Sequence, residues 1–186
     1  SKRNELLFDQ LFDNSPLGLV LLDEKHNVVQ VNHGFEKIFE YQQEELVGKK
    51  LNDLIVSREE AKEALDINML TAQGEVGHLE SIRINKHGDR IPVIIYGVPV
   101  SFEDQTIGIY GIYVDITERT RIENELKIRN DELDNFVYKV SHDLRAPLSS
   151  VLGLVNLAKL ENSVNHLKEY VQMIENRIKL LDGFIN

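Results

Sequence analysis

His142 and Asp143 are adjacent in "FVYKVSHDLRAPLSS" (residues 136–150), and Pro147 follows the His by five positions. A carboxylate next to an imidazole fixes its tautomer and raises the basicity of the other ring nitrogen. That suits an imidazole acting as a nucleophile. Such a group must also be reachable. At about 100° per residue, His142 lies far around the helix from Val140 and Leu144, which belong to an apolar stripe. Tyr138, Lys139, Arg145, Ala146 and Ser149 fall near it instead, as an exposed polar strip. Pro147 has no N–H, so the Asp143 carbonyl loses its helical donor and the helix is expected to bend there. A solitary His on a polar helix face is more often an ordinary solvent-facing residue. Only the combination raises the question of chemistry.

The helix that would carry this strip begins near Thr117. Ile122, Leu126, Arg129, Leu133, Phe136 and Val140 are spaced 4, 3, 4, 3, 4, a heptad seam with one charged intruder. Val151, Val155 and Ala158 continue the stripe. "ENSVN" (residues 161–165) reads as a turn, and Leu167, Val171, Ile174, Ile178, Leu181 and Ile185 give a second seam. A helix over residues 117–160 would be about 66 Å long. Burying such a seam calls for a second copy: two helical hairpins making a dimeric four-helix bundle below a coiled-coil stem.

Upstream the period is that of strands. "LGLVLL" and "VVQVN" flank the turn "DEKHN" as a hairpin. Residues 33–55 carry short helical patterns, with Phe35, Ile38 and Phe39 on one face. In "SREEAKEALDINMLTAQG", Ser57 and Glu60 form a capping box, Ala61, Ala64, Leu65 and Leu70 make a stripe, and Gly74 ends the helix. Ile82 and Ile84 alternate with Arg83 and Asn85. His87-Gly88 and "FEDQ" are turns between the last three strands. The order predicts an α+β fold: a five-stranded antiparallel sheet with helices on one face, then the long linker helix and the helical hairpin.

Composition narrows the classes. The 186 residues are 42% hydrophobic and 28% charged, which fits a globular chain. A net charge of −10 argues against nucleic-acid binding. There is no Cys, hence no disulfide, thiolate metal site or Cys-adduct photochemistry. No apolar run reaches the roughly 18 residues that span a bilayer. A cytoplasmic segment with no membrane contact of its own is expected, although the full-length protein could be anchored. The six His are not paired at ligand spacing: His26 and His87 sit in turns, His33 opens a helix, His78 precedes a strand and His166 begins the last helix. No metal site is expected.

"SHDLRAPLSSVLGL" resembles the phosphoacceptor box of sensor histidine kinases, with His142, Asp143, Leu144, Arg145, Ala146, Pro147 and Leu148 in register. The resemblance implies that His142 accepts the γ-phosphate of ATP and passes it to an aspartate on a response-regulator receiver domain. It implies Asp143 as acid/base partner, Arg145 as a positioner of the phosphoryl group or the docking kinase domain, and Pro147 as a hinge. Many bifunctional kinases of that family carry Thr or Asn, used to orient water for dephosphorylating the regulator, where this chain has Ala146, so the resemblance implies weak phosphatase activity. Residues before Glu118 resemble a PAS sensor domain, ending in "DIT", where Asp115 and Thr117 would lock the last strand to the linker helix. Either can cap that helix, and Asp115 can pair with an Arg.

The expected domains are a PAS sensor at 1–117 (with 1–15 an N-terminal helix or linker), a coiled-coil signalling helix at 118–136, and a dimerisation and phosphotransfer domain at 137–186 whose second helix is cut short. No ATP-lid motif occurs, so ATP and Mg belong to a separate ATP-binding domain, and this piece is not expected to autophosphorylate alone. The helix at residues 57–73 has no His, which argues against haem in the PAS core, and the missing Cys argues against an adduct-forming flavin. The PAS ligand is unassigned. Phe35, Phe39, Tyr96, Ile109 and Tyr113 line a cavity or are plain core. The competing reading is a dimerising PAS/coiled-coil adaptor whose His is never phosphorylated.

Overall fold

The computed structural model describes residues 2–103 and 105–185, with side chains through 183. Asp104, within the expected "FEDQ" turn, lies outside the described residues, as does the side chain of Ile185. The chain divides into two compact units, Ser1–Glu123 and Asn124–Asn186.

In the first unit, β1 (Gly18–Asp23) and β2 (Val28–Val31) form the expected hairpin, with Val20 opposite Val31. Four helices follow: α2 (His33–Phe39), α3 (Gln43–Leu46), α4 (Leu51–Ile55) and α5 (Ala61–Ala72), after an N-terminal α1 (Lys2–Asp13). Then come β3 (Gly77–Ile84), β4 (Arg90–Phe102) and β5 (Gln105–Asp115). All pairings are antiparallel, in the order β2-β1-β5-β4-β3. The last strand thus lies in the centre, which puts the exit to the long helix beside the core.

Burial of aromatic and branched side chains holds this unit. Val20, Phe35, Phe39, Leu46, Ile55 and Val93 are fully buried, each worth about 1.5–3 kcal/mol over leaving it in water. Phe35 and Phe39 stand edge-on to Tyr113, with ring centroids 5.3 Å away in each case. Asn32 is also buried. Its Oδ1 accepts from the N–H of Phe35 (2.9 Å) and of Leu19 (2.7 Å), so it caps α2 and holds β1. Its Nδ2 donates to the carbonyls of Phe12 and Leu17, both at 2.9 Å.

Three sequence expectations change here. The Ser57–Glu60 pair is not a capping box: α5 starts at Ala61 after Glu60, and no side chain caps it. The Ser57 hydroxyl donates to the Glu60 carboxylate, which also pairs with Arg90 (2.7 Å). The α5 stripe is rotated: Leu65 and Leu70 are exposed, while Ala64 and Thr71 are buried. The cause lies in the strands beneath. A Cβ on Gly77 would sit 2.4 Å from Ile67, and one on Gly97 2.8 Å from Thr71, so two glycines let α5 press Ile67 and Thr71 onto the sheet. His78 does not precede β3 but is its second residue, stacked on Tyr96 at 4.7 Å.

The long helix α6 (Thr117–Leu160) starts in the first unit and continues in the second. It is unbroken through Pro147. After it, α7 begins at Val164, so the expected turn at 161–165 is shorter by two residues. Glu161 explains this: its Oε1 accepts from the N–H of Asn162 (2.9 Å) and Ser163 (2.8 Å), tying off the chain just ahead of α7. No described helix is long and apolar enough to cross a membrane.

Candidate functional site

The 3.6-residue period of α6 places His142 toward solvent, with its side chain 70% exposed. Leu144 and Pro147 are half-buried, whereas Arg145, Ala146 and Ser149 are exposed. The imidazole Nδ1 lies 3.3 Å from Asp143 Oδ1, at the outer edge of hydrogen bonding. Tyr138, one turn back, stacks its ring at 6.4 Å, tilted by 26°. With the Nδ1 proton turned toward the carboxylate, Nε2 presents its lone pair to solvent. Arg145 lines an open groove on the same helix with Ser141, Leu148, Ser149 and Leu152. His142 and Asp143 thus meet on α6, whereas Arg145 makes no hydrogen bond or ion pair with either among the described residues and lies in the neighbouring groove, and Ala146 adds only a methyl group.

Asp115 and Thr117 meet at the junction of β5 and α6. Asp115 Oδ1 accepts from the Thr117 N–H (2.8 Å) and hydroxyl (2.6 Å). The pairing of Asp115 with an Arg is not made among the described residues. Between the two, Ile116 is buried, and its N–H donates to the Pro92 carbonyl (3.0 Å). Its own carbonyl accepts from Thr120 N–H (2.9 Å), the first turn of α6. The helix start is therefore pinned to β4 as well as β5.

The core of the first unit holds a small cavity. Tyr96, Ile109 and Tyr113 line it, whereas Phe35 and Phe39 are packed core and do not. Sequence reasoning missed Arg83, which also lines it and is 2% exposed. The alternation in β3 was legible, but its sense is inverted: Arg83 and Asn85 face inward and Ile82 and Ile84 are only half-buried. Asn85 is satisfied locally, its Oδ1 accepting from Asp89 N–H (2.8 Å) and its Nδ2 donating to Glu40 (2.7 Å). Arg83 Nη1 donates to Ser81 Oγ (2.7 Å) and the Ile82 carbonyl (2.8 Å), with Glu63 at 3.4 Å. Burial pushes the Tyr113 phenol up to about 12, against the opposing pull of Arg83. The alternation marks the two faces of β3 but not which of them turns inward, so only the packing of the sheet could have placed this cation in the core.

Residues 16–118 match the PAS domain family, and residues 132–186 match the His Kinase A (phospho-acceptor) domain family. A curated relative, the cell-division control histidine kinase PdhS of Brucella ovis, is 26% identical over 159 residues, covering 79% of this chain. The chain spans 15% of that relative's length. Among solved structures, a PAS domain from Colwellia psychrerythraea matches with TM-score 0.56 at 24% identity, over 62% of this chain and 98% of its own. A domain of a sensory box sensor histidine kinase/response regulator from Geobacter sulfurreducens gives 0.51 at 19%, over 60% and 94%. These two likenesses are of fold alone.

Proposed function

The chain belongs to the PAS domain family and carries a histidine-kinase phosphoacceptor domain behind it, and on that premise we propose that it is the sensing and phosphate-accepting part of a two-component histidine kinase. The observation that carries the reading is the exposed imidazole of His142 paired through Nδ1 with Asp143, inside the matched segment 132–186. In the proposed step, Nε2 attacks the γ-phosphorus of ATP. The N–P bond forms, the bond from phosphorus to the bridging oxygen breaks, and ADP leaves. Asp143 holds or takes the Nδ1 proton as the ring gains positive charge. Arg145 offers a guanidinium to the phosphoryl oxygens or to the incoming kinase domain. The phosphoryl group then moves from nitrogen to an aspartate oxygen of a response-regulator receiver domain.

A second copy of the chain, that receiver and an ATP-binding domain carrying ATP and Mg are the partners of this reading. Pro147 serves as a hinge below the imidazole. Asp115 and Thr117 pass a change in the sheet to α6.

The test supplies an active histidine-kinase ATP-binding domain in trans with γ-labelled ATP. Acid-labile, base-stable label is expected on the chain and is lost in His142→Gln. Label that survives the substitution overturns the assignment. Absence of label from the unsubstituted chain, with a control phosphoacceptor labelled in the same mixture, favours the adaptor reading.

A further inference from the structure

Arg83 brings a full positive charge into the core of the first unit, and the phosphoacceptor reading makes no use of it. Among the described residues, every hydrogen bond of its guanidinium leaves from Nη1. Nε is buried and has no hydrogen-bond partner among the described residues. The Nε–Nη2 edge is the side-on fork that grips both oxygens of a carboxylate. Its one counter-ion among the described residues, Glu63, stands 3.4 Å from Nη1 with a side chain 37% exposed. A buried cation so weakly compensated favours a second anion on its unpaired edge.

The space is present. Arg83 lines a cavity of about 30 Å³. A single water needs about 10–15 Å³ on that measure, so the volume suits a few atoms and no ring system. Tyr113 is buried beside it with its phenol held protonated, a donor throughout the physiological range. Val20, Ile95 and Ile109 supply apolar wall.

We propose that this cavity is a sensing pocket for a short carboxylate of two or three carbons, gripped by Nε and Nη2 of Arg83, with the Tyr113 hydroxyl as an additional donor and its alkyl end against Val20, Ile95 and Ile109. The proposal rests on the reading of this unit as a sensor and gives that sensor a ligand class. A bound carboxylate would pull Arg83 away from Nη1's partners on β3 and α5, next to the strands that lead to Asp115.

The test uses the whole chain without ATP. Acetate, propionate and pyruvate are titrated against chloride at equal ionic strength, following heat of binding and the thermal midpoint. A saturable signal is expected for at least one carboxylate and none for chloride. Arg83→Lys, which keeps charge but loses the fork, is expected to weaken binding about tenfold or more. Should that variant unfold, carboxyl-labelled acetate is observed by NMR on the unsubstituted chain, where line broadening must be competed away by propionate. No saturable carboxylate signal, or a signal equal to that of chloride, overturns the proposal, as does unchanged affinity in a folded Arg83→Lys. The readout is independent of phosphate transfer: failure here leaves His142's role standing, and failure of His142 to take phosphate leaves this binding intact.

Discussion

Ala146 lies four residues beyond His142 on the same exposed strip. Its methyl group cannot hold a water in line with an acyl phosphate docked at His142. On the proposed reading, Ala146→Thr in this chain joined to an active ATP-binding domain is therefore expected to raise dephosphorylation of a phosphorylated regulator by on the order of tenfold to a hundredfold. Loss of labelled regulator phosphate over time, without ATP, measures it, and an unchanged rate refutes the assignment. Asn32 ties three elements of the first unit together, since one amide serves α2, β1 and the end of α1. Asn32→Ala removes a helix cap, worth about 1 kcal/mol, and strands buried partners at a further cost of about 1–3 kcal/mol. Urea unfolding should show a loss of about 2–4 kcal/mol. The two residues differ in legibility. The His142 strip could be read because its members share one helix face and need no distant partner. Asn32 could not, because it acts on carbonyls 15 and 20 residues away in sequence.

The entry to α5 turns on charge where a cap was expected. The Ser57 hydroxyl and then the Arg90 guanidinium hold the Glu60 carboxyl below its ordinary value of 4.5. A lowered carboxylate contributes stability that is fully present above the ordinary range and lost as pH falls through the lowered value. Glu60→Gln should thus lower the thermal midpoint of the first unit at pH 7, and the gap from the unsubstituted chain should close on going to acid. An equal gap at pH 7 and pH 3 would contradict the pairing. The strands themselves were readable from alternation, as were α2 and the start of α6. The facing of α5 and β3 was not. It is set by Gly77 and Gly97, which admit Ile67 and Thr71, and by a cation that β3 turns inward. Periodicity gives the faces of an element but does not say which face the neighbours can accommodate.

A single copy of this chain keeps a row of large apolar groups in water. Leu126 (64%), Leu133 (57%) and Phe136 (65%) are among the most exposed, all on the heptad seam of α6. Burying each against a second copy is worth about 1.5–3 kcal/mol. Sedimentation equilibrium should give twice the 21.4 kDa of one chain. Leu133→Asp with Phe136→Asp should shift the equilibrium to monomer without unfolding the first unit. A mass unaffected by both would place the interface elsewhere. The change of period near Thr117 made the two-part organisation legible. The attachment of α1 was invisible in the sequence, and it bears on how such modules are exchanged. The family match begins at residue 16, yet Asn32 reaches back to the Phe12 carbonyl, and the Phe12 ring is itself buried, 6.2 Å from Tyr110. A transplant joined at the family border would sever that clasp. The portable sensor therefore starts upstream of Phe12, and grafts between kinases should be joined ahead of α1.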